Sequence, residues 1–323
     1  MMIRISRIAA ALIAAALLAA CDGGTGGTTP PQSQPQQPFS WNVQAGTSSQ
    51  SEAYQGLQFY PNAITIDAGD TVTWTFPSGE PHTVTLLGPK ATPPPPNDPS
   101  VPAPAGGSTY DGSTYTSSGF LLGGKTYSLT FPKAGTYKVY CLIHGGMEQT
   151  ITVQNAGTPY PAAQTTLSAQ AAAAEQSDLQ VAANTLAQFP YTTGGTHIAA
   201  GMSYGLNTAN PPPSSSVMRF LDGASLTATS TTVPVGTTVT WTNLSSNMPH
   251  TVTFPVAGQP LPAMPPFSPP SGPSTYDGTQ LVNSGPLMPG QSFTLTFTKA
   301  GTYTYNCLFH DDTENMIGTI IVQ

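Results

Sequence analysis

The chain has 323 residues, of which only 7% are charged, and its formal net charge at pH 7 is −7. This sparse, mildly acidic charge argues against nucleic acid as a partner, because nucleic-acid binding needs clustered Lys and Arg. Glycine and proline number 32 and 34, and short apolar runs alternate with Thr and Ser. We therefore expect an all-β protein with many turns, long enough for two domains.

The N-terminus has the pattern of an export signal. Arg4 and Arg7 precede an apolar run over residues 8–20, which is too short for a convincing membrane span. The run ends in LAAC, and this resembles the lipobox of bacterial lipoproteins. The resemblance implies that residues 1–20 are removed and that Cys21 is lipidated; the alternative is an ordinary secretory peptide cleaved nearby.

Residues 21–38 are rich in Gly, Pro and Gln and predict a flexible tether. Together with an acylated Cys21, the tether would hold the protein to a lipid bilayer. We expect an extracytoplasmic, membrane-anchored protein, on the periplasmic side of the cell membrane or at the cell surface.

The rest of the chain contains one long internal repeat. Residues 106–144 match residues 272–310 at 21 of 39 positions, with an offset of 166. TVTW recurs at 71 and 238, and PHTVT recurs at 81 and 249. A period of this length indicates a duplicated domain rather than a solenoid, so we predict one domain over 39–155 and a second over 191–323. The repeated STYDG is interpreted as a turn.

A helical linker is predicted between the two copies, over residues 156–190. The stretch 161–189 is alanine-rich and free of glycine. Its apolar positions recur every three to five residues, which is typical of an amphipathic helix with one weakly apolar face. Those positions are Leu167, Ala171, Ala174, Leu179, Ala182, Leu186 and Phe189.

Each copy contains a set of metal-ligand side chains in the same order. The first set is His82, Cys141, His144 and Met147, and the second is His250, Cys307, His310 and Met316. Two imidazoles, a thiolate and a weak thioether form a ligand set that suits copper. A disulfide between the two cysteines is the alternative, but their equivalent positions in separate copies argue against it.

The motifs TVTW, PHTVT, AGTY and Cys-x-x-His with a following Met resemble the cupredoxins, the blue copper proteins. The first copy is most similar to amicyanin and the second to plastocyanin. The resemblance implies two tandem Greek-key β-sandwiches, each with a type 1 copper ion. It also implies that the amides of Thr83 and Thr251 donate hydrogen bonds to the copper thiolates, and that His144 and His310 reach the surface as electron exit points. The apolar neighbours of those histidines, which would form a docking patch, are Leu142, Ile143, Leu308 and Phe309.

The two metal loops differ in length and charge. Two glycines separate His144 from Met147, whereas the five residues 311–315, in HDDTENM, separate His310 from Met316. Nearby negative charge favours the more positive oxidised ion. We therefore predict unequal sites, with the lower potential at the second.

The histidine count restricts the possible chemistry. Four of the five histidines are assigned to the two sites, which leaves only His197, interpreted as structural. The chain has no H-x-H pairs for a trinuclear copper centre, no nucleophilic triad and no nucleotide-binding fingerprint. We predict a non-enzymatic electron carrier with a protein redox partner and no small-molecule substrate. The alternatives are a copper-buffering or delivery protein without a redox circuit and a structural β-sandwich with vestigial sites.

Overall fold

A computed structural model describes residues 37–90, 92–95, 98, 100–191, 195–203, 215–226, 230–246, 248–311 and 314–323. The signal peptide, Cys21 and nearly all of the predicted tether lie outside these residues. The first repeat forms nine strands: β1 (Ser40–Ser48), β2 (Tyr54–Tyr60), β3 (Ala63–Asp67), β4 (Thr71–Phe76), β5 (Thr85–Leu86), β6 (Thr116–Ser117), β7 (Lys125–Thr130), β8 (Gly135–Tyr140) and β9 (Glu148–Gln154).

The linker and the second repeat follow in the same order. Helix α1 (Gln164–Thr185) runs into a 3₁₀ turn (Leu186–Gln188). The strands are β10 (His197–Ser203), β11 (Ser215–Leu221), β12 (Ser230–Val233), β13 (Thr238–Leu244), β14 (Thr253–Phe254), β15 (Thr275–Tyr276), β16 (Val282–Asn283), β17 (Ser292–Phe297), β18 (Gly301–Asn306) and β19 (Ile317–Val322). The expected all-β fold with a helical linker is confirmed.

The inner strands bury every second side chain. In β4, the TVTW strand, Val72, Trp74 and Phe76 are buried while the intervening threonines are half-exposed. This alternation is what a strand with one face in a core requires. Trp241 of β13 occupies the equivalent place in the second repeat, so each repeat has its own aromatic-rich core.

The two repeats share one continuous sheet, which the sequence did not predict. Its order is β15-β17-β13-β10-β11-β2-β1-β4-β7, and the central pair joins β11 to β2 in antiparallel register. Each sandwich is completed by a separate five-stranded sheet. Because the strand order reads nearly the same from both ends, the repeats are related by an approximate two-fold axis between β2 and β11.

Helix α1 contacts both repeats, as β1, β2, β10 and β11 all touch it. Its buried positions include Leu167, Ala171 and Ala182, as expected, but Ala174 is exposed. The predicted face is also wrong at Leu179, which is half-buried, because its neighbour Asp178 faces inward. Its carboxylate accepts a 2.6 Å hydrogen bond from the Tyr60 hydroxyl of β2, and a paired carboxylate can be buried where an unpaired one cannot.

The repeated STYDG ends in a turn in both copies, as interpreted from the sequence, although Thr275 and Tyr276 within the second STYDG form β15. Asp111 Oδ1 accepts hydrogen bonds from the backbone amide and the hydroxyl of Ser113. Asp277 receives the same pair of bonds from Thr279. These local bonds satisfy the turn backbone and explain why both copies keep an aspartate there.

Candidate metal centres

Each candidate site is assembled at one end of a sandwich by three segments. His82 lies between β4 and β5, where its backbone pairs with Leu121. Cys141 directly follows β8, and Met147 directly precedes β9. In the second repeat His250 pairs with Leu287 in the same way, and Cys307 and Met316 flank the loop between β18 and β19.

The first site brings one sulfur and two imidazole nitrogens together. His82 Nδ1 and His144 Nδ1 are 3.0 Å apart, and Cys141 Sγ lies 3.8 Å and 3.5 Å from them. All three side chains are buried. Metal–nitrogen and metal–sulfur bonds of about 2.0–2.3 Å are compatible with donor atoms at these separations, so the residues fit one shared metal ion.

The second site repeats this arrangement closely. His250 Nδ1 and His310 Nδ1 are 3.1 Å apart, and Cys307 Sγ lies 3.7 Å and 3.2 Å from them. Neither Cys141 nor Cys307 is in a disulfide. The structure therefore brings six of the eight predicted metal ligands into two equivalent clusters.

The two predicted axial methionines are buried beside these clusters. Met147 and Met316 are 1% and 0% exposed. Their main chains close the metal loops, because the carbonyl of Met147 accepts a 3.0 Å hydrogen bond from the Cys141 amide and Met316 makes the same 3.1 Å bond with Cys307. The longer second loop therefore returns to the same backbone contact as the first.

Backbone amides point at both sulfurs, as the resemblance implied. The amide of Thr83 donates to Cys141 Sγ at 3.5 Å, and the amide of Thr251 donates to Cys307 Sγ at 3.4 Å. The Thr83 hydroxyl also accepts a 2.8 Å bond from the amide of Leu142. These bonds hold the sulfur and the start of the metal loop in place and would tune a bound metal.

A glycine lies against the outer nitrogen of each first histidine. The backbone is in the left-handed region at Gly46 (φ +72°) and Gly201 (φ +71°), where β1 and β10 each have a bulge. A Cβ at Gly46 would lie 2.0 Å from His82 Nε2, and one at Gly201 would lie 2.1 Å from His250 Nε2. Only glycine satisfies both the backbone angle and this close approach.

The two second histidines meet at one carboxylate. Glu80, two residues before His82, is 1% exposed. Its Oε1 accepts a 3.0 Å hydrogen bond from His144 Nε2, and its Oε2 lies 3.3 Å from His310 Nε2 in the other repeat. The second contact is an ion pair without the geometry of a hydrogen bond. Glu80 was not among the predicted site residues, although EPHTVT has a charged residue where MPHTVT has methionine.

The electrostatics of the first cluster favour a thiolate beside positive charge. Burial alone would raise the pKa of Cys141, but His144 and His82 hold it well below its usual value. Burial lowers the pKa of His144, whereas Cys141 and Glu80 together raise it to about 9. Metal binding requires the deprotonated thiol, and the first site already stabilises that form.

The two imidazoles of the second site shift in opposite directions. Burial and the neighbouring His310 keep the pKa of His250 well below its usual value. The pKa of His310 is raised well above its usual value, because Glu80 and Cys307 outweigh the effect of burial. Despite its own burial, Glu80 has a lowered pKa owing to His310 and His144.

The expected exit points are wrong in this structure. His144 and His310 are 0% and 2% exposed, because Glu80 and the opposite repeat cover their outer edges. Leu142 and Leu308 of the predicted docking patch are also buried, whereas Ile143 and Phe309 are half-buried.

The remaining sequence features have mixed outcomes. His197 is exposed, and its ring lies 5.4 Å from that of Tyr191. In the acidic loop, Glu314 is buried and its carbonyl accepts a hydrogen bond from Arg219, while Asp312 lies outside the described residues. The predicted difference in potential between the sites stays a prediction.

Comparisons with known proteins agree with this geometry. The family model for copper binding proteins of the plastocyanin/azurin family matches residues 45–154 and 225–323. The plastocyanin of Scenedesmus fuscus is 35% identical over 100 residues, which is 30% of this chain and 88% of that protein. The plastocyanin A/B of Petroselinum crispum is 30% identical over 100 residues, covering 30% and 89%.

Among solved structures, a purple cupredoxin from Nitrosopumilus maritimus is 25% identical and covers 39% of this chain and 98% of its own, with a TM-score of 0.24. Family membership rests on the family model, which matches both repeats. The chain therefore belongs to the plastocyanin/azurin family of copper-binding, electron-transfer proteins, and it carries two candidate metal sites.

Proposed function

We propose that this protein is an electron carrier that holds two type 1 copper ions, with ligands His82, Cys141, His144 and Met147 in the first repeat. In the second repeat the ligands are His250, Cys307, His310 and Met316. The observation that carries the proposal is the pair of equivalent buried clusters, each with its sulfur and imidazole nitrogens within 4.8 Å of one another. Bound copper would supply one-electron chemistry between its two common oxidation states.

The protein's contribution is to keep each ligand set fixed. The loop from Cys141 to Met147 is closed by two backbone hydrogen bonds of 3.0 and 3.1 Å, and Thr83 holds its first residues. Burial excludes water from the donor atoms. A site that does not rearrange when the metal changes charge favours rapid electron transfer over metal release, which supports a carrier over a copper-buffering protein.

We also propose that the protein is not an enzyme, that its partner is a redox protein, and that it has no small-molecule substrate. The division into domains at 39–155 and 191–323, with a linker at 156–190, is part of the same proposal. It is supported by the family matches within both ranges.

The proposed location rests on the N-terminal sequence. Cys21 would carry the lipid and residues 21–38 the tether, which places the protein outside the cytoplasm at a membrane surface. No helix among the described residues is long and apolar enough to cross a bilayer. Cys21→Ser should therefore move the protein from the membrane fraction to the soluble fraction, and an unchanged distribution would contradict the anchor.

The copper proposal is tested on the full-length chain in detergent by a metal count and a visible spectrum. We expect two coppers per chain and an intense thiolate-to-copper absorption band that disappears reversibly on reduction. Cys141→Ser and Cys307→Ser form a matched pair, and each should leave one copper. Absence of the band in the copper-loaded protein would refute the type 1 assignment, and copper that binds without reversible reduction would favour the buffering alternative.

A further inference from the structure

Glu80 is the one described carboxylate that contacts ligand histidines of both repeats. It approaches His144 Nε2 at 3.0 Å and His310 Nε2 at 3.3 Å, each through a different oxygen. In both rings Nδ1 faces the cysteine sulfur. Each imidazole therefore turns its inner nitrogen to the metal cluster and its outer nitrogen to the same carboxylate.

The two-fold relation of the repeats is broken at this position. The residue immediately before PHTVT, two positions before the first histidine ligand, is Glu80 in the first repeat and Met248 in the second. Met248 is 1% exposed and packs with Leu57 and Met218, which occupy equivalent positions in β2 and β11. One copy thus supplies the carboxylate for both sites, and the other supplies an apolar side chain.

The surroundings keep this carboxylate in place. Glu80 is almost fully buried, and a charge contact is stronger where water is excluded. Arg219 of β11 also ties the repeats together: its guanidinium donates to the carbonyl of Ser51 at 2.6 Å and to the carbonyl of Glu314 in the second metal loop. The junction between the sites is therefore fixed by bonds from both repeats.

We propose that Glu80 is a shared positioning residue that links the two copper sites into one unit. A carboxylate that accepts the outer N–H of a metal-bound histidine fixes the tautomer and the ring orientation; here one carboxylate does so for two metals. This inference rests on the proposed copper function. It follows that a change at Glu80 alters both sites at once, and that His144 and His310 face each other across Glu80 rather than an external partner.

The experiment measures copper affinity with a competing chelator in chains that keep one site. Glu80→Met is introduced into the Cys307→Ser chain, which reports the first site, and into the Cys141→Ser chain, which reports the second. We expect affinity to fall by about 10–100-fold at each site, the usual cost of losing an outer partner of a ligand. The matched control is Asp111→Asn, which removes an exposed carboxylate and should change neither affinity.

Methionine is the residue that the second repeat already has at the equivalent position, but losing one partner of a buried ion pair destabilises a fold, so folding of each variant is checked first. If the Met variant does not fold, Glu80→Gln serves instead. Its amide has one oxygen acceptor, and its NH2 group would face the other imidazole N–H, so its effect on the two sites should be unequal.

A second measurement needs no variant. In the copper(I)-loaded protein, which is diamagnetic, NMR should show slowly exchanging Nε2–H protons for both His144 and His310. Loss of affinity at only one site in the Glu80→Met chains, or one rapidly exchanging Nε2–H in the unsubstituted protein, would overturn the shared role while the copper function stands. Failure of both single-site chains to bind copper would instead refute the proposed function itself.

Discussion

Gly46→Ala should damage the first metal site without touching any ligand. Ordinary contact begins at about 3.4 Å, but the new Cβ would lie 2.0 Å from His82 Nε2 and 2.7 Å from its Cδ2. The ring must therefore retreat by about 1.4 Å. Metal–ligand distances hold to about 0.2 Å, so the displaced His82 can no longer complete the site.

The cost in stability has two parts. An alanine in the left-handed region costs about 1–2 kcal/mol, and forcing a buried ring aside costs about 1–3 kcal/mol. The expected loss is therefore about 2–5 kcal/mol. Gly124→Ala is the matched control, because Gly124 has φ +78° and nothing within 4 Å of its added Cβ. This variant should lose only the stability that alanine costs in the left-handed region.

The assay is urea unfolding of the metal-free full-length chain together with copper per chain after loading. Gly46→Ala and Gly201→Ala should each retain one copper, and Gly124→Ala should retain two. The reasoning is wrong if Gly46→Ala loses no more stability than Gly124→Ala and still binds two coppers.

Three further predictions concern side chains outside the donor set. Thr83→Val leaves the buried amide of Leu142 without its acceptor and should lower the free energy of unfolding by about 1–3 kcal/mol, measured by urea denaturation. Tyr60→Phe removes the hydroxyl that bonds Asp178 and should cost about as much, measured the same way. Burial raises the pKa of Tyr276 to about 12, so the stability it contributes is complete below pH 10 and is lost as pH rises towards 12; Tyr276→Phe should flatten the stability–pH curve in this range.

The controls for these predictions are surface side chains of the same type. Thr73→Val removes a hydroxyl that bonds Ser128 at the exposed face of β4. Tyr137→Phe removes an exposed bond to the carbonyl of Lys133. Each should change stability by no more than about 0.5 kcal/mol; equal effects in the controls and in the buried variants would contradict the role given to burial.

The metal ligands could be predicted because their order is repeated. A lone His82 or Met147 is ambiguous, but the second copy repeats each ligand in the same sequence context. Glu80 is different. Its role depends on His310, 230 positions away in the chain, and a glutamate in the turn-like SGEPH reads as an exposed residue. Only a comparison of the two copies, in which methionine replaces it, points to a buried position.

The shared sheet and the burial of Asp178 in α1 could not be predicted from the sequence for a similar reason. Strands β2 and β11 belong to different repeats, and hydrophobic periodicity indicates that a strand exists but not its partner. For Asp178, the helical pattern favours an exposed position, and the hydrogen bond that helps to bury it comes from Tyr60 in a distant strand.

The central pairing of β2 with β11 has a consequence for how such a chain arose. A single repeat would expose this strand as an open edge, which is a template for self-association. Two identical copies would meet there as a two-fold dimer and would place the same residue twice at the junction. Once the two copies were joined in one polypeptide, their sequences could differ at the junction, so that one copy has Glu80 and the other has Met248. A single acid facing two histidines is an arrangement that a strict homodimer could not have produced.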